Sequence, residues 1–453
     1  MNVAPASVAA PRVYLNGTFS PATVVIENGT IAAITPFDPG ADLVLDPTAV
    51  LLPGLVDSHV HLDEPGRTEW EGFATGTAAA AAAGITTVVD MPLNSVPVTT
   101  TPQALAVKRA AAVGKLAADV GYWGGAVPEN LGHLSELAAA GVVGFKCFLS
   151  PSGIDEFGHL DQDQLLAALT ELAEIDATLI VHAEDPAELP QAGPLGRVYA
   201  DFLDSRPDSS EISAIGTVIE AASRTGARVH IVHLASAEAL PLIRQAKTDG
   251  VRLSVETCPH YLTLFAEEVP DGAAAFKCCP PIRGGDNADL LWEALLDGTI
   301  DAVVSDHSPS TRQLKDLGDG DFGLAWGGIA GLQTGFSAVW TAARERGIVL
   351  ERLLPLFTTG PAMVADLHGL GVIEVGAPAN LAIFEPDTDY VVDAEELQYR
   401  NPISPWDGTK LSGLVSRTLL HGRVVYDHTD GVLERNGREI LLAPAAASKE
   451  SPV

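Results

Sequence analysis

The run Leu51-Leu52-Pro53-Gly54-Leu55-Val56-Asp57-Ser58-His59-Val60-His61 is largely apolar as far as Val56, and it closes on two histidines one residue apart. In a strand, side chains at i and i+2 point to the same face. His59 and His61 can therefore aim two imidazoles at one point, and imidazole suits Zn, Fe and Ni. A pair of hydrogen-bonded loop histidines would leave the same local pattern. The strands that follow decide between the two.

Outward from this run, apolar strands alternate with Ala/Leu-rich helical segments. Candidate strands after 51–61 are 86–91, 120–126, 142–149, 178–183, 229–234, 252–257 and 301–305. Helical patterns fall near 71–83, 102–118, 129–140, 161–175, 211–225, 236–248, 287–297 and 327–346. Repeated β-α units with buried strands imply a parallel sheet. Eight such units predict a closed (β/α)8 TIM barrel over residues 53–370. An open doubly wound sheet is the alternative, and the absence of a GxGxxG turn after any strand weakens it.

The flanks read differently. Val13-Tyr14-Leu15, Thr23-Val24-Val25-Ile26 and Ile31 to Ile34 are separated by Asn16-Gly17 and Asn28-Gly29. Asn-Gly between apolar runs is a hairpin signal. Strand patterns return at Gly371-Val372-Ile373, Asn380 to Phe384, Leu414 to Leu420 and Arg423 to Tyr426, with His421-Gly422 as a turn. Residues 1–52 and 371–442 are thus expected to form one small split β-sandwich domain into which the barrel is inserted. Residues 443–453 are expected to be a disordered tail.

A net charge of -32 over 453 residues argues against nucleic acid or an anionic membrane as a partner. The four cysteines, Cys147, Cys258, Cys278 and Cys279, do not read as a disulfide framework. The first residues lack the basic and apolar regions of a signal peptide. The Ala-rich stretch 78–89 is too short and too weakly apolar to span a bilayer. A cytoplasmic address is the expectation.

The strand ends carry the chemistry. The first strand delivers His59 and His61, the fourth Lys146, and the fifth His182. The sixth delivers His230 and His233, and the eighth Asp306 and His307. His260 follows the seventh. Ionisable groups in apolar strands are costly unless paired or bound to metal. Several strand ends carrying them together indicate a metal centre. A protonated Lys146 among histidines would repel a cation. Lys146 fits if carbon dioxide converts its amine to a carbamate with two oxygens able to bridge two ions; pairing with Asp or Glu is the alternative. His59, His61, Lys146, His182, His233 and Asp306 then form a two-metal set. Such centres polarise a carbonyl and generate hydroxide at neutral pH. Zn is the expected metal, and Fe, Co or Mn are compatible with the same ligands. Loops 150–160, 184–210 and 307–326 exceed the usual connections and would wall a pocket at the active face.

This set resembles the amidohydrolase superfamily, and within it the cyclic amidohydrolases. The resemblance implies the barrel, the split β domain, and a binuclear centre bridged by Lys146 as N6-carboxylysine. Segment by segment the chain is similar to the allantoinase branch. The matching stretches are 64–73, 90–95, 146–157, 277–283, 305–309 and 325–333. Dihydroorotases carry an arginine where this chain has Asp63, so an acidic substrate is not expected. Hydantoinases carry a tyrosine where this chain has Pro151. Asp63 also stands where an asparagine is usual in the branch, and Asn380 stands where an aspartate is usual in the superfamily.

The reaction this implies is hydrolysis of the hydantoin ring amide of allantoin, with Asp306 as proton shuttle. Cys279 and Gly327 would orient the ring through backbone groups. Asn94 and Ser150 are candidates for the ureido arm, while Arg67 and Trp70 brace the loop after strand one. His230 and His260 would support the site from outside the ligand set. His133, His159, His368, His421 and His428 are expected at the surface or in loops. A homotetramer is the family expectation. A hydantoinase acting on other cyclic imides is the second reading, and a non-catalytic scaffold the third.

Overall fold

The computed structural model describes residues 4–190 and 193–442. The expected tail at 443–453 lies outside the described residues.

The opening run feeds two sheets rather than one. Val50–Pro53 belongs to an outer nine-stranded sheet, and Leu55–Val60 is the first barrel strand. The switch falls at Gly54. A Cβ there would meet the Thr86 side chain at 2.1 Å, so only glycine lets the chain cross so close to the second strand. The Gly54 N–H donates to the Asn380 carbonyl at 2.8 Å. The unusual Asn380 is thus a joint of the framework, and its side-chain oxygen accepts from the His421 N–H at 2.8 Å.

The barrel follows in order: Ile85–Asp90, then Asp119–Tyr122 continuing as Gly124–Gly125, then Phe145–Phe148, Thr178–His182, Arg228–Ile231, Leu253–Thr257 and Ala302–Val303. All pairings are parallel. Val60 bridges His307, and the His61 N–H donates to the His307 carbonyl at 2.8 Å, which closes the last strand onto the first. Each strand is buried along nearly its whole length, as expected of a sheet covered by helices. The helices Phe73–Ala82, Pro102–Ala112, Gln162–Glu174, Asp208–Thr225, Leu240–Thr248, Gly285–Leu296 and Gly335–Glu345 lie where the apolar periodicity places them.

In the outer sheet, Ser7–Leu15, Thr18–Glu27 and Thr30–Thr35 form two hairpins. Asn16 and Asn28 take φ of 52° and 54°, each followed by a left-handed glycine, the conformation the Asn-Gly pairs predict. Leu381–Val391 pairs antiparallel with Val50–Pro53, and Lys410–Leu420 and Arg423–Asp427 extend the sheet. The first and last parts of the chain thus share one sheet around a core that includes Val8, Val24, Ile31, Leu51, Leu381 and Leu419. The expected strand at 371–373 does not form. Gly371 sits at φ 70° with Thr358 backbone where a Cβ would be, so this stretch turns rather than extends. Residues 437–442 pass under the third barrel strand, where Val120 donates to the Arg438 carbonyl and accepts from the Ile440 N–H.

Candidate metal centre

His59, His61 and Asp306 meet at the C-terminal mouth of the barrel, where barrel enzymes keep their active sites. Their ligand atoms lie within 4.8 Å of one another, and all three residues are buried. Asp306 Oδ1 is 3.2 Å from His59 Nε2 and 3.7 Å from His61 Nε2. On the adjoining strands, His182 Nδ1 faces His233 Nε2 at 2.9 Å. The His59 and His233 rings lie 5.5 Å apart between centroids, so the two groups adjoin.

Lys146 is buried between them, with Nζ 4.9 Å from the centre of the Phe148 ring. Burial pushes its amine down to about 8, against the pull of Asp306 and Glu256. Among the described residues it makes no ion pair, which is the arrangement a modified amine needs and a structural lysine does not. Burial also lowers the basicity of His61 and His233 well below normal, reinforced by neighbouring histidines and Lys146. Neutral imidazole is the ligand form. Burial raises Asp306, opposed chiefly by His59 and Lys146. The donor set fits divalent ions: two clusters of imidazole nitrogens, a carboxylate near one of them, and a buried amine beside them.

Backbone strain accompanies this geometry. Asp63, Asn94, His233 and Asp306 hold φ of 60°, 66°, 41° and 42°. Left-handed backbone at a non-glycine residue costs of order 1–3 kcal/mol and collects at functional sites. Nothing in the residue pattern announces it.

The structure sorts the other candidates. Asn94 is buried, with Nδ2 3.3 Å from His61 Nδ1. Ser150 is buried just past the fourth strand. Cys279 and Gly327 are neighbours; a Cβ at Gly327 would stand 3.6 Å from Cys279 Sγ. Arg67 does brace loops, donating to the Asn94 carbonyl at 2.8 Å and to Glu156 at 2.9 Å. Trp70 packs edge-on against Trp326 at 5.0 Å, joining the loop after strand one to the loop after strand eight. Loops 184–210 and 307–326 are tied by Asp321, whose carboxylate accepts from the Leu195 and Gly196 N–H groups. Asp63 is buried, and burial raises its pKa strongly, reinforced by Asp90 and Glu71. His260 is buried beside Asp306 and Cys258. His421 lies in the turn expected of His421-Gly422, and its ring docks on barrel residue Asp119 at 3.0 Å.

Two carboxylates escaped the sequence reading. Glu256 Oε1 lies 2.5 Å from His59 Nδ1, and Glu184 Oε2 lies 2.7 Å from His182 Nε2. Burial would raise Glu256, but His59 and His230 hold it at about 2. Burial would raise Glu184 as well, but Arg206 and His182 hold it at about 2. The argument that singled out Lys146 and the histidines, a charged residue at the end of an apolar strand, applies equally to Glu256.

Comparison with known proteins agrees with the geometry. The amidohydrolase family model matches residues 50–425. The chain is 54% identical to an allantoinase of Streptomyces avermitilis, over 90% of this chain and 92% of that one. It is 42% identical to an allantoinase of Saccharomyces cerevisiae, over 94% and 96%. Among solved structures, the L-hydantoinase (dihydropyrimidinase) of Arthrobacter aurescens superposes with a TM-score of 0.89 at 28% identity, covering 96% of this chain and 99% of that one. With a closed barrel, histidines and an aspartate gathered at its mouth, and a family match across nearly all of the barrel, this chain belongs to the amidohydrolase family.

Proposed function

We propose that the protein is an allantoinase, opening the hydantoin ring of allantoin to give allantoate. The observation that carries this is the convergence of His59, His61, Lys146, His182, His233 and Asp306 at one barrel mouth, in a chain 54% identical to an allantoinase over 90% of its length. His59, His61 and Asp306 would hold one divalent ion and His182 and His233 the other, with carboxylated Lys146 between them. Bound there, such ions supply Lewis acidity toward a carbonyl and lower the pKa of water.

The chain's own residues then do the following. Water oxygen adds to the ring carbonyl carbon while the Asp306 carboxylate accepts its proton, as general base. The ring C–N bond breaks, and Asp306 returns the proton to the departing nitrogen as general acid. A carboxylic acid and a ureido N–H result, the acid loses its remaining proton to solvent to become the carboxylate, and Asp306 ends as it began. The neighbouring backbone at Cys279 and Gly327 orients the ring imide, and Ser150 lies at the ureido side. Asn94, which also meets the His61 ring, joins Ser150 there. Asp63, an acid where an acidic substrate would need a cation, favours a neutral ring.

Zn is the preferred metal in this reading, and a cytoplasmic homotetramer the preferred state. No helix among the described residues is long and apolar enough to cross a membrane. The deciding experiment is a steady-state comparison of allantoin with hydantoin and dihydrouracil, with metal analysis of the same sample. Preference for hydantoin or dihydrouracil would replace this reading with that of a general cyclic-imide hydrolase.

A further inference from the structure

His59 and His182 share an arrangement. Each turns one ring nitrogen toward the ligand cluster and the other toward a buried carboxylate. His59 has Nε2 at 3.2 Å from Asp306 and Nδ1 at 2.5 Å from Glu256. His182 has Nδ1 at 2.9 Å from His233 and Nε2 at 2.7 Å from Glu184. A neutral ring whose outer nitrogen faces a carboxylate carries its proton there, and the inner lone pair is left free for a cation.

The two carboxylates are supported from separate parts of the fold. The second oxygen of Glu256 is 2.9 Å from His230 Nε2, and His230 Nδ1 is 2.8 Å from Ser254 Oγ. That chain runs through the sixth and seventh barrel strands. Glu184 Oε2 instead accepts from Arg206 Nη1 at 2.6 Å. Arg206 stands on the long excursion that leads into the helix Asp208–Thr225. One relay is built into the barrel wall, and the other hangs from a loop.

We propose that Glu256 and Glu184 are positioning residues that separately set the affinity of the two halves of a two-ion centre. Glu256 serves the half with His59 and His61, and Glu184 the half with His182 and His233. This rests on the two-ion reading of the site given above. Outer partners of metal-binding histidines are worth about 10–100-fold in metal affinity.

The test is cobalt titration of metal-free protein followed by absorption spectroscopy, with circular dichroism of each variant to verify folding. In a His233→Ala background, which leaves the His59 and His61 half, Glu256→Gln is expected to weaken cobalt binding by about 10–100-fold while Glu184→Gln leaves it unchanged. In a His61→Ala background the two variants exchange effects. Arg206→Gln, remote from the ligands, is expected to follow Glu184→Gln in direction with a smaller loss, and it carries the test if a glutamate variant fails to fold. Wild-type protein that takes up fewer than two cobalt ions overturns the two-ion reading and this assignment with it. Two ions in the wild type, with either glutamate variant weakening both halves equally or neither, overturns the assignment alone.

Discussion

The Asp57 carboxylate accepts a hydrogen bond from the Ser305 N–H at 3.0 Å. Its other oxygen accepts from the His59 N–H at 3.1 Å. One buried side chain therefore pins the end of the last barrel strand to the first, directly beneath His59 and Asp306. Leaving a buried N–H without a partner costs about 1–3 kcal/mol. Asp57→Ala strands two of them and is expected to lower stability by about 2–6 kcal/mol on that count. The same change frees His59 relative to Asp306, so metal affinity should fall with it. Thermal unfolding and metal titration of the variant check both, and a stability change without a metal change would mean that the strand seam does not set the site.

Asp306→Asn keeps the size of the side chain and an oxygen for coordination, but it no longer carries a proton between water and the leaving nitrogen. General acid–base groups contribute about 10²–10⁴-fold. Turnover on allantoin should fall by that order while metal content stays near that of the wild type. Near-normal turnover would exclude Asp306 as the shuttle.

Lys146→Ala removes the only buried amine placed between the two histidine clusters among the described residues. Metal content is expected to fall, and acetate or propionate should restore part of it together with part of the activity, because a small carboxylate can occupy the space of the carbamate. A fully active sample with one ion per chain and an unmodified Lys146 would contradict the bridged centre.

Lys315 gives the pH prediction. Its amine is buried and donates to the carbonyls of Trp326 and Gly328, holding the loop that carries Gly327. Burial pushes it down to about 7, against about 10.4 for a lysine in an unfolded chain. Between those values the unfolded chain holds one more proton than the folded one, so this group's contribution to stability rises with pH. Below pH 7 both states hold the proton and the burial cost is carried in full. Relative to Lys315→Met, wild type should therefore gain stability from pH 7 toward pH 10, by up to ~1.4 kcal/mol per pH unit. Denaturant unfolding of both proteins at several pH values measures it, and a constant difference would contradict the buried charge.

Much of the barrel, and of the side chains gathered at its mouth, was legible because each rests on a local rule. His59 and His61 are two residues apart in a strand, and Lys146 was conspicuous as a cation in the wrong place. The break at Gly54 was not legible, since an apolar run looks the same whether it serves one sheet or two. The stretch 371–373 has strand composition but a glycine whose backbone turns away. That Asn94 also meets His61, 33 positions away, was not legible. Glu256 was overlooked for a similar reason: it meets His59 across 197 residues of chain. Local spacing identifies which side chains point inward, but not which of them will meet.

The shared outer sheet has a consequence in time. Val50–Pro53 lies between Ser7–Leu15 and Leu381–Val391. During synthesis at about 5–20 residues per second, the earlier edge would wait roughly 15–65 s for the later one to be made. Throughout that interval Val50, Leu51 and Leu52 have their early neighbour, Ser7–Leu15, but lack the later one. The hairpins at Asn16-Gly17 and Asn28-Gly29 form from neighbouring residues and need no such wait. They give the newborn chain something to hold while the barrel is still being translated.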